Sequence, residues 1–297
     1  MHNHSATGKT IVITGGTSGV GLETARLLVA GEGKVFVIGS DQAKGAAAEQ
    51  TLNEAANGRG LATYVRADLA SLQDVRALAA TLTARINHLD VLINNAGIVT
   101  TERSNTVDGL ERTFAVNYLA PFALTNALLP LLRDSAPSRV LSLTAAVEPL
   151  GRLPFSDLQR ECHFGGLRAY SQSKKALAIY TSELARRERE LGSGVSANVV
   201  DPFLVKTGLT DARTVPLLFK IARPLMVRPA TPARWVARAA LDGQLADTTG
   251  RHFILGHRVP SLPASHNRHL ANQLWEISTT LTAPSRASVS ERCRRET

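Results

Sequence analysis

The sequence has only two cysteines, Cys162 and Cys293, and they lie far apart in the chain. Such a pair is not the disulfide framework of a small secreted protein, and it indicates a reducing compartment. No apolar run approaches the roughly 18 residues that a membrane-spanning helix needs. Residues 1–4 lack the apolar core of a signal peptide. These absences predict a soluble cytoplasmic protein without a transmembrane segment.

The chain also lacks a linker rich in proline, glycine or serine, and 44% of its 297 residues are hydrophobic. One compact domain is therefore expected. Helix-like segments alternate with strand-like runs: the strands at 11–14, 35–39, 63–67, 91–94, 140–143, 196–200 and 252–255, the helices at 22–30, 41–54, 72–86, 111–133, 169–191 and 231–241. This alternation is typical of parallel sheets. We predict a single-domain Rossmann-type α/β fold, in which a doubly wound seven-stranded parallel sheet carries helices on both faces.

The ends of the chain differ from this pattern. Residues 1–8 are predicted to be a flexible leader, and 284–297 a disordered tail without an apolar face. Residues 266–281 have apolar side chains at helical spacing, which predicts a C-terminal helix. His2 and His4 lie in the leader, so we expect no metal site.

Three glycines, Gly15, Gly19 and Gly21, follow directly after the strand-like run 11–14. A glycine-rich turn between a strand and a helix lets a pyrophosphate approach the backbone and places it at a helix N-terminus. The spacing is not the G-x-G-x-x-G fingerprint, and three glycines alone also fit a structural turn. Residues 8–10 end like a P-loop, but they precede the strand and lack its upstream glycine, so we reject that interpretation.

A second pattern, Tyr170 and Lys174, lies in the predicted helix 169–191. Residues four apart share one helix face, about one turn from each other. An isolated Tyr-x-x-x-Lys pair is also found on ordinary surface helices. Together with a phosphate-binding turn, the pair indicates an enzyme that moves hydride from a nicotinamide and a proton through the phenol.

Three more motifs stand after the expected strands: Asp68-Leu69 after the third, Asn94 to Gly97 after the fourth, and Asn117 in the next helix. In this order the motifs resemble the short-chain dehydrogenase/reductase family, and most of all its retinol-dehydrogenase-like branch, over about residues 8–283. The resemblance implies a domain at 9–283, with a nucleotide-binding part at 9–145, a catalytic helix at 168–191 and a lid at 206–230. It also implies a small-molecule carbonyl or alcohol substrate and a homo-oligomer.

The resemblance assigns the site residues as well. Tyr170 exchanges a proton with the substrate oxygen, Lys174 lowers the pKa of that phenol and binds the nicotinamide ribose, and Asn117 holds a water of the proton relay. The implied cofactor-binding residues are Gly15, Thr17, Ser18, Gly19, Val20, Gly21, Ser40, Asp68, Leu69, Asn94, Ala96, Gly97, Tyr170, Lys174, Pro202, Val205 and Thr207.

The choice of cofactor depends on the end of the second strand. NAD-specific relatives need a carboxylate where this chain has Gly39, to accept from the ribose hydroxyls. NADP-specific relatives often have an arginine where this chain has Ser40. Ser40 and Lys44 can bind a 2′-phosphate, whereas Asp41 can turn to the ribose of NAD. NADP(H) is favoured because no carboxylate at position 39 repels the 2′-phosphate, and NAD(H) is the alternative.

Two positions depart from the family pattern. The catalytic serine falls on Ala145, and Thr144 beside it should face the opposite side of the strand. The usual Pro-Gly after the sixth strand is Pro202-Phe203, which places a phenyl ring in the substrate site. Two functions therefore stay open. One is a dehydrogenase or reductase that positions its substrate without the serine; the other is a dinucleotide-bound protein with a non-redox activity, such as a cyclase or isomerase, or a regulatory role.

The formal net charge is +9, but the basic residues are scattered and no aromatic-interleaved basic stripe occurs. We therefore expect no nucleic-acid partner, and an anionic dinucleotide accounts for part of the charge. The predicted lid at 206–230 is both apolar and basic. It is either an ordinary lid, a binding segment for an apolar substrate with an acidic or carrier-borne end, or a segment that lies on an anionic membrane.

Overall fold

The computed structural model describes residues 5–203, 205, 227–260 and 267–284. The strands are β1 Thr10–Thr14, β2 Lys34–Gly39, β3 Leu61–Arg66, β4 Val91–Asn94, β5 Ser138–Leu143, β6 Val195–Asp201, β7 His252–Ile254 and β8 His257–Val259. The helices are α1 Gly19–Ala30, α2 Gln42–Ala56, α3 Leu72–Arg85, α4 Arg112–Asp134, α5 Gly166–Leu191, α6 Ala230–Leu241 and α7 Arg268–Thr282. Most of the predicted lid, Thr207 included, lies outside the described residues, as do the first four residues and the tail from 285.

These eight strands form one sheet in the order β3-β2-β1-β4-β5-β6-β7-β8. The first seven are parallel, which confirms the doubly wound parallel sheet. The predicted count of seven is corrected by β8, which turns back at Leu255 and Gly256 and pairs antiparallel with β7. β8 is His-Arg-Val with its first two residues exposed, so the sequence contains no apolar run that would indicate this strand. Because β1 lies between β2 and β4, the strand order reverses there and a crevice opens at the carboxyl ends.

Alternate residues of each strand enter two apolar cores, one on each face of the sheet. Val12 and Phe36 belong to the core that α3, α4, α5 and α7 cover. Their neighbours Ile11 and Val35 belong to the core under α1, α2 and α6. The predicted helices on both faces are thus confirmed. Because both faces are covered, the strands appear in the sequence as continuous apolar runs.

Helix α4 is irregular near its start and contains a proline near its end. Residues Ala115–Leu119 form a π-helical turn that includes Asn117; such turns are frequent at functional sites. Pro130, where the sequence predicts a bend or an end, lies inside the helix one turn before Asp134. The helix is long and apolar enough to cross a membrane, but 72% of its apolar window is buried inside the protein. A core helix passes the same test, so this is weak evidence for a span.

Helix α7 lies where the sequence predicts a C-terminal helix, and it packs on α4 and α5. Its Trp275 ring is 5.3 Å from the ring of Phe122, measured between centroids. The hydroxyl groups of Ser278 and Tyr118 are hydrogen-bonded at 2.6 Å. The helix therefore covers an aromatic surface that α4 and α5 would otherwise present to water.

Candidate functional site

A cavity of about 610 Å³ lies at the carboxyl ends of the central strands, where the strand order reverses. Ligands bind in this crevice in open α/β sheets. Most of the predicted site residues line it: Gly15, Thr17, Ser18, Gly19, Val20, Gly21, Ser40, Asp68, Leu69, Ala96, Gly97, Ala145, Tyr170, Lys174, Pro202, Phe203 and Val205. Asn94 and Asn117 are buried behind the wall of the cavity instead.

The glycine-rich turn is shaped so that only glycine fits at two of its positions. Gly15 has a φ of +65°, and a Cβ there would lie 2.9 Å from the Cα of Ala96. A Cβ on Gly21 would collide with the carbonyl oxygen of Gly15. The turn is thus a backbone cradle without side chains, which is the surface that a pyrophosphate needs for close approach. These positions fit a dinucleotide.

Helix α1 begins in this cradle with unsatisfied backbone amides. Its N-cap residue, Ser18, makes no side-chain capping hydrogen bond, and its first turn contains no acidic residue. The first amides of a helix carry a partial positive charge that favours an anion. The helix end therefore adds an anion-binding element to the glycine turn.

Asn95, which lies within the Asn94 to Gly97 motif but is not among the predicted cofactor-binding residues, fixes the cradle to β4. Its side-chain amide donates to the carbonyl oxygens of Thr14 at 2.8 Å and Gly15 at 3.2 Å. The Thr14 hydroxyl accepts from the backbone amides of Asn95 at 3.0 Å and Ala96 at 3.1 Å. Hydrogen bonds within the protein therefore hold the ends of β1 and β4 together. Asn94 holds β4 to α4 through the hydroxyl of Thr125 at 2.9 Å.

The far end of the cavity is basic. Ser40 and Lys44 line it, and Arg66 donates from Nε to the Ser40 carbonyl oxygen at 3.2 Å. Arg66 stands on β3, 26 residues from Ser40, so no local motif in the sequence indicates this contact. Asp41 is engaged elsewhere: its carboxylate caps α2 by accepting from the Lys44 amide at 3.0 Å. That hydrogen bond keeps the pKa of Asp41 below its usual value.

Tyr170 and Lys174 form the opposite end of the cavity, on the first turns of α5. Both side chains are buried, and the ammonium of Lys174 lies 5.7 Å from the centroid of the Tyr170 ring. Lys174 donates from Nζ to the Leu143 carbonyl oxygen at 2.9 Å. The predicted pairing of the two side chains on one helix face therefore places them together at the end of β5.

Asn117 stabilises the loop beside Lys174. Its side-chain oxygen accepts from the Ile98 amide at 2.8 Å, and its side-chain nitrogen donates to the Ile98 carbonyl oxygen at 2.9 Å and to Ser173 Oγ at 3.0 Å. Both of its N–H groups are used by protein atoms. The geometry indicates a positioning role, whereas the sequence analysis predicts a water ligand.

Two buried carboxylates were missed from the sequence: Asp201, which interacts with both Tyr170 and Lys174, and Glu148, which interacts with Asp201 and Lys175. Burial raises the pKa of Asp201 to about 6, although the hydrogen bond from the Phe203 amide and the charge of Lys174 both act to lower it. Burial raises the pKa of Glu148 to about 7, opposed by Lys175 and reinforced by Asp201. Both groups therefore titrate near neutral pH.

Of the two carboxylates, Asp201 acts on the phenol. Burial raises the pKa of Tyr170, and the charge of Asp201 raises it further. Burial lowers the pKa of Lys174 to about 8, while Asp201 opposes the change. The lowering of the Tyr170 pKa by Lys174 stays a prediction, since burial and Asp201 are the causes that shift this pKa in the structure. With its pKa raised, the phenol is protonated at neutral pH.

The two departures from the family pattern both face the cavity. Ala145 lines it without a hydroxyl group. The neighbouring Thr144 has a buried Oγ that makes no hydrogen bond. Phe203 has a φ of +64° and is 42% exposed. A left-handed backbone conformation costs about 1–2 kcal/mol for a residue that has a side chain. Glycine would adopt the conformation of Phe203 without this cost.

Comparison with known proteins agrees with this site. The chain matches the short chain dehydrogenase family over residues 9–215. It is 35% identical to retinol dehydrogenase 13 of Homo sapiens, over 96% of this chain and 87% of that protein. It is 34% identical to polyprenol dehydrogenase of Danio rerio, over 92% of this chain and 86% of that protein. The Pseudomonas aeruginosa RhlG/NADP complex superposes with a TM-score of 0.69 at 26% identity, over 86% of this chain and 97% of that chain.

Proposed function

Because this chain belongs to the short-chain dehydrogenase/reductase family and is an NAD(P)-dependent oxidoreductase, we propose that it interconverts the alcohol and carbonyl forms of an apolar small molecule, with Tyr170 as the proton donor. The observation that supports this most is a single cavity that contains both the glycine cradle and the Tyr170–Lys174 pair. The relatives named for retinol and polyprenol, both apolar alcohols, favour a substrate of that class.

Different residues of the cavity would bind the cofactor and transfer the proton. The glycine turn and the start of α1 would hold the pyrophosphate, and Lys174 would hold the nicotinamide ribose. When bound, the nicotinamide supplies or accepts the hydride. Tyr170 donates its proton to the carbonyl oxygen in reduction and takes it back in oxidation. A phenol kept protonated by burial and by Asp201 suits the reducing direction.

Ala145 and Phe203 also favour a second candidate, a dinucleotide-bound protein without redox activity, since both alter the substrate half of the site. The test is a screen of apolar aldehydes, ketones and alcohols while the absorbance of the reduced cofactor is followed. Substrate-dependent change in that absorbance supports the oxidoreductase. Tight cofactor binding with no change for any substrate would favour the second candidate.

We expect NADP(H) to bind more tightly than NAD(H), since Lys44 and Arg66 flank Ser40 and Asp41 is engaged as a helix cap. Arg66→Ala and Lys44→Ala should each weaken NADP(H) about fivefold to tenfold, because each removes one charge-assisted contact to a phosphate. Affinity for NAD(H), which lacks that phosphate, should change little. Fluorescence titration of both cofactors measures the effect.

The matched control for this experiment is Arg59→Ala, an exposed arginine outside the cavity. It should leave both affinities unchanged. A wild-type preference for NAD(H), or equal losses for both cofactors in Arg66→Ala, would contradict the assignment of the phosphate site.

We also expect Asp201→Asn to move the pH profile of carbonyl reduction. Above its pKa of about 6, Asp201 is ionised and raises the pKa of Tyr170 by like-charge repulsion. Without that charge the phenol loses its proton at lower pH, so the alkaline limb of kcat/KM should move to lower pH. Below about pH 6, where wild-type Asp201 is neutral, the two profiles should converge.

Asp134→Asn provides the control, because Asp134 is exposed at the end of α4. Its profile should match that of the wild type. An Asp201→Asn profile that superposes on the wild-type profile would show that Asp201 does not act on Tyr170.

A further inference from the structure

A second cavity of about 610 Å³ lies at the opposite end of α5, and we name it the arginine cleft. Its walls come from the last turns of α5, the segment before β7, strand β8 and the start of α7. Five arginines line it: Arg186, Arg189, Arg251, Arg258 and Arg268. They lie on four separate segments of the chain, so the sequence alone shows only scattered basic residues.

Two of these arginines are already engaged by the protein. Arg186 pairs with Glu183 and with Glu190, both at 2.6 Å. Arg189 donates to the Thr249 carbonyl oxygen at 3.1 Å. These contacts hold one wall of the cleft in place.

The other three arginines, Arg251, Arg258 and Arg268, are different. In the part of the chain that the structure describes, their side chains make no hydrogen bond and no ion pair. Asp247 also lines the cleft and likewise makes no ion pair within the described ranges. Five arginines against Glu183 and Asp247 leave the lining with a net positive charge. Guanidinium groups that line one cleft without an ion-pair partner repel one another, and an anion between them removes that repulsion.

The chemistry of these groups selects the anion. A guanidinium is a planar fork of N–H donors that matches the oxygens of a phosphate, and it remains charged at any physiological pH. Arg268 is also the first residue of α7, so the partial positive charge of that helix end adds to the field. The cleft therefore fits an anion with several oxygens better than it fits a monatomic anion.

The arginine cleft is separate from the cofactor cavity. The two cavities share no lining residue. Arg186 follows Tyr170 by 16 residues on the same helix, which is about 24 Å along the helix axis. A dinucleotide in the cofactor cavity thus leaves the arginine cleft open.

We propose that the arginine cleft is a binding site for a phosphate-bearing anion, which is either free in solution or the head group of a lipid. The variant that tests it is the double substitution Arg258→Gln/Arg268→Gln. Both side chains are exposed and unbonded within the described structure, so the variant should fold and keep its affinity for the cofactor. Arg59→Gln, far from both cavities, is the matched control.

The first arm is isothermal titration of the NADP-saturated protein with inorganic pyrophosphate. The saturated cofactor cavity cannot take up the probe. We expect wild type and Arg59→Gln to bind, and the double variant to bind at least about tenfold more weakly, because each lost arginine removes charge-assisted hydrogen bonds. Added salt should weaken the binding.

The second arm separates the two sources of phosphate. Sedimentation with vesicles of phosphatidylcholine and phosphatidic acid is compared with vesicles of phosphatidylcholine alone. Binding to the acidic vesicles that the double variant loses identifies a lipid head group, and binding of pyrophosphate alone identifies a free anion. No binding in either arm, or equal binding by the double variant, would overturn the proposal.

Discussion

Tyr170→Phe will abolish measurable turnover and leave the dissociation constant of the cofactor nearly unchanged. The phenol is buried at the end of the cavity. Its loss removes the proposed proton donor, while the glycine turn and Lys174 remain to hold the cofactor. Loss of a general acid lowers turnover by about 10²–10⁴-fold. Steady-state kinetics and cofactor titration on the same preparations measure both quantities.

Two further variants sharpen this result. Lys174→Ala should weaken cofactor binding as well as turnover, because the ammonium is proposed to hold the nicotinamide ribose. Tyr180→Phe is the matched control: it removes a buried hydroxyl from the same helix, away from the cavity. If Tyr170→Phe turns over like Tyr180→Phe, the proposed proton transfer is wrong.

Ala145→Ser should raise turnover on a simple test ketone by up to about 10²-fold, because one oxyanion donor is worth roughly 10²–10³-fold in turnover. Ala145 lines the cavity just after β5. The predicted alignment with the family places the catalytic serine there, so the new hydroxyl is expected to face the substrate oxygen. The phenyl ring of Phe203 stands in the same cavity and reduces the gain. The measurement is kcat for the variant and the wild type at saturating cofactor.

The controls test the position of the new hydroxyl. Ala146→Ser adds the same group to the next residue of the cavity wall and should do little. Thr144→Val tests whether the buried, unbonded Thr144 hydroxyl already acts as the donor. If Thr144→Val destroys activity and Ala145→Ser has no effect, the serine position is assigned one residue too late. If no hydride transfer is measurable for the wild type or for either variant, the non-redox candidate is favoured.

The parts of the site that could be predicted from the sequence are contiguous motifs. Gly15 to Gly21 and the pair Tyr170 and Lys174 each lie within one turn and one helix, so local spacing alone determines their geometry. The structure brings both motifs into one cavity, as predicted. The strand order that joins them is a general property of doubly wound sheets, which is why the fold class could also be predicted.

The site residues that could not be predicted from the sequence lie in the site because segments distant in the chain pack together. Arg66 meets Ser40 because β3 is aligned with β2 in the parallel register. Asp201 comes to Lys174 because β6 ends beside α5, and a lone aspartate at a strand end carries no local signal. The left-handed backbone of Phe203 was also hidden, since a residue name does not give the sign of φ.

The position of α7 has a consequence for the synthesis of the chain on the ribosome. Its Ser278 hydroxyl bonds to Tyr118, which precedes it by 160 residues. At about 5–20 residues per second, roughly 8–30 s pass between the synthesis of Tyr118 on α4 and that of Ser278 on α7. A nascent chain with the aromatic surface of α4 and α5 exposed is a substrate for chaperones and prone to aggregation. The yield of folded protein therefore depends on what protects this surface until α7 has been made.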